Sequence, residues 1–154
     1  MEIKKIGIDF HGVINTDPDF FRDFSQIISQ HDIEIHIISG GPRDKIIQYL
    51  QEHSIRYDKV WCIFDYYRYQ NKVSFLPDGS FYVDDVLWDR AKAQYCQREK
   101  INLHIDDSDI YGRYFTTGYC LYNASAKSGN INNVSIKFFQ SPEKVFDALI
   151  KLCV

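Results

Sequence analysis

The feature that most restricts the fold is a change of apolar period that repeats along the chain. Short runs rich in Ile and Val give way to stretches with apolar residues three and four apart, and then return. Ile3, Ile6 and Ile8 lead into Asp9 as a short strand, with Gly12 as the turn beyond its carboxyl end. Asp17-Pro18 opens a helix: Asp17 suits the N-cap, Pro18 the first helical position, and Phe20, Phe21, Phe24, Ile27 and Ile28 form a buried stripe. Ile33 to Ser39 alternates as a second strand, and Gly40-Gly41-Pro42 leads into a helix with Ile46, Ile47 and Leu50 inward.

Lys59 to Phe64 is a third strand candidate, and Val73 to Val83 reads as a β-hairpin around Pro77-Asp78-Gly79. A helix over Asp89 to Glu99, a strand over Asn102 to Ile105, an acidic loop at Asp106-Asp107-Ser108 and a strand over Tyr119 to Tyr122 follow. Ser125 to Asn133 reads as a polar loop. Ser141 and Pro142 then start a last helix with Val145, Phe146, Leu149 and Ile150 inward.

Strands that alternate with helices imply crossover connections. The expected fold is therefore α/β, a three-layer Rossmann-like parallel sheet with helices on both faces and a small β-hairpin insertion. With 154 residues, 45% of them hydrophobic, the chain has material for one core, so residues 1–154 are expected to form a single domain with a short aromatic and hairpin insertion near 65–84. The aromatic run Trp61, Phe64, Tyr66, Tyr67 and Tyr69 reads as packing around that insertion, with a ligand-facing wall as the alternative.

Charge and patterning remove several function classes. A formal charge of −3 with scattered Lys and Arg makes no basic stripe, so a long nucleic acid is not an expected partner. No apolar run approaches the roughly 18 to 20 residues that span a bilayer, and the N-terminus enters a strand without a signal-peptide pattern. No membrane association and a cytoplasmic location are expected. Cys62, Cys96, Cys120 and Cys153 lack metal-site spacing and read as reduced, buried thiols.

In an open parallel sheet, ligands belong at the carboxyl ends of the strands. Asp9, Ser39 and Asp106-Asp107 fall at the ends of three different predicted strands, so they can converge despite their separation in sequence. Carboxylates crowded at one edge repel one another, and a hard divalent cation relieves that repulsion. Magnesium suits oxygen ligands and commonly takes one or two protein carboxylates beside a substrate phosphate. A carboxylate so relieved can attack phosphorus, with a hydroxyl and a lysine nearby to hold the phosphoryl oxygens.

These residues resemble a known family. Ile6 to Ile14 (IGIDFHGVI) resembles the first motif of the haloacid dehalogenase-like hydrolase superfamily, in which a strand ends in D-x-D-x-[TV]. Ser39 after IEIHII resembles the second motif, Lys92 is the best candidate for the third, and LHIDDS (Leu103 to Ser108) resembles the fourth. The resemblance implies that Asp9 is nucleophile and metal ligand, that the His11 backbone carbonyl and Asp107 also hold Mg2+, and that Asp106 orients Asp107 or binds a metal-bound water. Ser39 and Lys92 would hold the phosphate. Gly40 and Arg43, on the segment after Ser39, are further substrate-binding candidates, although an exposed Arg43 is the simpler reading.

Alternatives accompany these assignments. Ser39 has the chemistry of a helix N-cap, and Asp106-Asp107 that of a solvated loop or cap. Lys100 is a rival to Lys92, and if Asp89 caps its helix, Lys92 falls in the first turn, where the helix dipole disfavours a cation by a few tenths of a kcal/mol.

His11 departs from the family pattern, because an imidazole stands where phosphatases of the superfamily carry a second aspartate as general acid and base. Histidine is a side chain able to donate and accept protons near neutral pH. The expected function is a magnesium-dependent phosphatase acting through an aspartyl phosphate on Asp9, with His11, Ser39 and Lys92 as its other catalytic residues. The alternative is a catalytically weakened module that binds phosphate ligands or a protein partner. The expected ligand is a small phosphorylated molecule, a nucleotide among the candidates, and the small insertion implies a fairly open site.

Overall fold

The computed structural model describes residues 2–153. Its first strand, β1 (Lys5–Ile8), lies inside the sheet, flanked by β2 (Glu34–Ser39) on one side and β6 (Leu103–Asp106) on the other. Between β1 and β2 lies α1 (Pro18–Gln30); α2 (Arg43–Glu52) leads to β3 (Lys59–Cys62), and α3 (Ile63–Tyr69) follows directly. The hairpin β4 (Ser74–Phe75) and β5 (Phe81–Tyr82) precedes α4 (Asp85–Arg98). After β6 come the short α5 (Asp109–Gly112), β7 (Gly118–Asn123), β8 (Ser128–Ile131), β9 (Val134–Lys137) and α6 (Pro142–Cys153).

The seven-stranded sheet has the order β3-β2-β1-β6-β7-β8-β9 and is parallel from β3 through β7. The chain moves outward from β1 to β3 and then returns to β6 on the opposite side of β1. The order thus reverses between β1 and β6, and a crevice is expected at their carboxyl ends.

Helices flank this sheet, compatible with a Rossmann-like arrangement. Ile35 and Ile37 of β2 belong to a buried cluster with Phe21, Phe24 and Ile28 of α1 and Val145, Phe146 and Leu149 of α6. Ile38, the next residue along, belongs to a separate cluster with Tyr95 and Cys96 of α4. Successive strand residues point to opposite faces, so consecutive isoleucines serve two helix layers. Gly7 of β1 is paired in register with both His36 and His104; a Cβ there would stand 2.7 Å from His104 Nδ1 and from Ile38 Cδ1.

Local chemistry set most of the boundaries. Asp17 accepts a bond from Phe20 N at 3.3 Å, with Pro18 in the first turn, as the sequence implies. The helix expected over Asp89 to Glu99 starts earlier, because Asp84 caps it by accepting from Val86 N and Leu87 N at 3.1 and 3.2 Å. Lys92 therefore lies well inside α4, beyond the first turn.

Two further expectations change. The strand expected over Lys59 to Phe64 stops at Cys62, and Ile63 to Tyr69 is helical. Tyr67 is buried with Ile63, Val83 and Ala91, and Trp61 of β3 stacks on Tyr95 at 4.6 Å, whereas Tyr69 is exposed. Ser125 to Asn133, expected as a loop, contains β8, and β8 with β9 extends the sheet as an antiparallel meander. Only Gly129, Ile131 and Ile136 of these strands are buried, so the apolar signal of a strand is diluted. The Asn132-Asn133 pair, with φ of 51° and 67°, is the two-residue hairpin connection. No helix among the described residues is long and apolar enough to cross a membrane.

Candidate functional site

Asp9 follows the carboxyl end of β1 and Asp106 closes β6, on the two strands that flank the reversal of strand order. Asp9 N still donates to Ile105 O at 2.9 Å, which fixes its backbone against β6. Lys92 reaches into this crevice from α4: its Nζ stands 3.0 Å from Asp9 Oδ1 and 2.7 Å from Asp106 Oδ2, and all three residues are buried. The aliphatic stem is thereby covered, and the ammonium finds two carboxylates, one from each strand. Lys100, the rival lysine, follows α4 as an exposed residue with φ 59°.

Asp106 is surrounded by donors. Besides Lys92, its Oδ2 takes a hydrogen bond from His104 Nε2 at 2.8 Å, and its Oδ1 accepts from Ser108 N at 3.1 Å. His104 is fully buried, and burial lowers its affinity for a proton; the Asp106 carboxylate accepts at this contact, so the hydrogen of the bond sits on Nε2. The sequence reading did not single out His104. Its signal was the period of two in a strand, which places it on the same face as Asp106.

The charges are unevenly matched, with three carboxylates around one lysine. Burial, aided by Asp106 and Asp107, outweighs Lys92 and raises Asp9 to about 8. Burial also acts to raise Asp106, but the hydrogen bond from His104 and the charge of Lys92 win and hold it below the usual carboxylate range. Lys92 is kept charged because Asp9 and Asp106 outweigh its burial. Burial and the neighbouring Asp106 raise Asp107. Asp9, Asp106 and Asp107 each offer a carboxylate oxygen within 4.8 Å of the others, a hard oxygen set that could hold a metal ion.

Gly12 lets the loop after β1 approach Asp107. Its φ is +84°, and any Cβ would overlap the Asp107 carboxylate. Asn15 Oδ1 accepts from Gly12 N at 2.8 Å and holds the turn. The acidic loop is fixed from the other side, where the Tyr119 hydroxyl donates to Ser108 O and Ser108 Oγ accepts from Tyr111 N.

Ser39 ends β2, and its hydroxyl is fully buried with no hydrogen-bond partner. It is not a helix cap: α2 begins at Arg43, four residues on, with Pro42 in the cap position and no side-chain bond. Leaving a buried hydroxyl unpaired costs about 1–3 kcal/mol, which a ligand acceptor would recover. Ser108, likewise, is the cap of the following helix, so Asp106 and Asp107 are not needed for that role.

Asp9, His11, Ser39, Gly40, Gly41, Lys92 and Asp107 line one cleft of about 360 Å³, together with Phe81, Trp88, Ser108 and Tyr111. His11 is exposed and packs edge-on against Phe10 at 4.9 Å. Arg43 is not among the lining residues, because its Nε donates to Val60 O at 3.0 Å and its backbone N to Asp65 Oδ2 at 2.9 Å. The aromatic wall comes from the hairpin, α4 and α5, and none of Trp61, Phe64, Tyr66, Tyr67 and Tyr69 belongs to the lining. Comparisons of the chain with protein-family models, curated proteins and solved structures found no match.

Proposed function

We propose that this chain is a magnesium-dependent phosphomonoester hydrolase of the haloacid dehalogenase-like type, with Asp9 as nucleophile on a three-layer Rossmann-like sheet. The observation that carries the reading is the meeting, in one cleft, of Asp9 paired to buried Lys92 with the unpartnered hydroxyl of Ser39. The donor set also fits a hard cation. Held by Asp9, Asp107 and the His11 backbone carbonyl, with Asp106 orienting them, magnesium would offset the crowded carboxylates and the phosphoryl charge.

Each residue then has a definite task. Ser39 Oγ donates to a phosphoryl oxygen, and Lys92 steadies Asp9 while offsetting charge that builds on phosphorus. The ionised Asp9 carboxylate attacks phosphorus, the bond from phosphorus to the ester oxygen breaks, and His11 gives a proton to that leaving oxygen. His11 then takes a proton from water, whose oxygen attacks phosphorus and releases Asp9 and inorganic phosphate. Asp106, held by His104, Lys92 and Ser108 N, anchors the lysine.

A second reading, a weakened module that binds phosphate ligands or a protein, is favoured by His11 alone, since it makes no bond to a site carboxylate and lacks the family's aspartate. Phosphate release with and without magnesium, in the wild type and in Asp9→Asn, separates the two. The hydrolase releases phosphate only with the metal and with Asp9; the binding module releases none.

A further inference from the structure

The cleft has two ends of different chemistry. At one stand Asp9, Ser39, Lys92 and Asp107; at the other stand Phe81, Trp88 and Tyr111. The indole of Trp88 packs on the loop directly after Ser39, since a Cβ added to Gly40 would lie 3.1 Å from Trp88 Cζ2. Trp88 Nε1 donates to the Tyr111 hydroxyl at 2.7 Å, which fixes both rings. Phe81, from the hairpin, lies 5.8 Å from Trp88 between ring centroids and 4.7 Å from Phe64, yet 42% of it stays exposed. Preformed rings with an open face beside a polar pocket suit a flat apolar group.

Charge narrows the ligand further. Lys92 is the only Lys or Arg among the cleft-lining residues, and two carboxylates already engage it. A second phosphate or a carboxylate on the ligand would face Asp9 and Asp107 with no further Lys or Arg in the lining to offset it. A polyol would place hydroxyls against rings that offer few partners.

We propose that the ligand is a phosphate monoester whose organic part carries an uncharged planar aromatic ring, seated on Phe81 and Trp88. This rests on the phosphate-site reading given above and names the class of substrate for that site. Two sources share the chemistry, a simple aryl ester and a nucleoside monophosphate. In either, the phosphoryl group lies at Ser39 and the ring against the aromatic wall.

Calorimetric binding to the wild-type chain with magnesium tests this without turnover, using inorganic phosphate, propylphosphonate, benzylphosphonate and the phosphonate analogues of adenosine and thymidine monophosphate. At least one aromatic ligand should bind roughly five- to a hundredfold tighter than propylphosphonate, the gain expected of one stacked ring. The better arm identifies the ring as aryl or nucleobase. Phe81→Ala, on an exposed hairpin, should remove most of that preference and leave the affinity for inorganic phosphate unchanged, and Trp88→Leu should also remove most of the preference. Equal binding of alkyl and aromatic phosphonates, or a preference that survives both substitutions, overturns the inference while the phosphate site stands. If inorganic phosphate does not bind the wild type, the phosphate site fails and the inference fails with it.

Discussion

Lys92 Nζ and Asp106 Oδ2 stand 2.7 Å apart in the interior, and the same ammonium lies 3.0 Å from Asp9 Oδ1. One cation on α4 thus joins the ends of two adjacent parallel strands. The arrangement is structural as well as chemical, because removing the cation would leave the buried Asp106 carboxylate without its ammonium partner.

Breaking this pairing should be expensive. Lys92→Ala is expected to lose about 3–5 kcal/mol of stability in urea unfolding, the cost of stranding a buried charge. Adding Asp9→Asn should recover part of the loss at alkaline pH, where Asp9 is ionised, because it removes one of the stranded carboxylates. A double mutant as unstable as the sum of the two single changes would show that the residues do not interact.

The raised Asp9 gives a pH signature in metal-free protein. Its pKa is about 8 in the fold against an ordinary 3.8, so the folded chain holds this proton more tightly than the unfolded one. Stability from this group is therefore present at acid pH and is lost as pH rises between about 4 and 8. The Tm of the wild type relative to Asp9→Asn should decline across that window, by about 2–4 °C for each kcal/mol lost. Asp106 changes below the window and Lys92 above it, and Asp107, which is also raised, is present in both proteins, so the difference reports Asp9 together with its coupling to Asp107. A flat difference would contradict the burial assigned to Asp9.

Two glycines with similar backbone angles should respond differently. Gly12 and Gly79 have φ of +84° and +88°, but a Cβ at Gly12 meets Asp107 while nothing lies within 4 Å of one at Gly79. Gly79→Ala should cost about 1–2 kcal/mol from backbone strain alone. Gly12→Ala should cost more and should also reduce the rise in Tm that magnesium produces, because Asp107 is displaced. Equal costs, with an unchanged magnesium effect, would separate Gly12 from the metal site.

His11 tests the proton-transfer step. His11→Ala should slow phosphate release by roughly 10²- to 10⁴-fold if the imidazole acts as general acid and base. His11→Asp should leave the rate similar or lower it. A marked gain in His11→Asp would mean that histidine had not taken over the aspartate's role.

Much of this was legible in the sequence because it depends on local pattern. Asp9, Ser39 and Asp106 could be placed at strand ends from apolar period alone, and the reversal of strand order brings those ends together. Lys92 was legible as a residue but not in its setting, since the choice of Asp84 over Asp89 as cap depends on where the hairpin delivers the chain to α4. The aromatic stretch at 61–69 was visible, yet none of its rings lines the cleft, while Phe81, Trp88 and Tyr111 come from three elements and share no sequence pattern. Arg43 looked available near the glycine loop, but a carbonyl of β3 captures its side chain. The strands β8 and β9 escaped because only one face of each is buried.

The most direct test of the central claim is to quench the chain during turnover of a phosphomonoester with magnesium and locate any covalent phosphoryl group by peptide mass spectrometry. The account predicts one phosphoryl group on Asp9, absent without magnesium and absent from Asp9→Asn, which should also release no phosphate. Turnover with no phosphoryl group on Asp9 and undiminished activity in Asp9→Asn would contradict it.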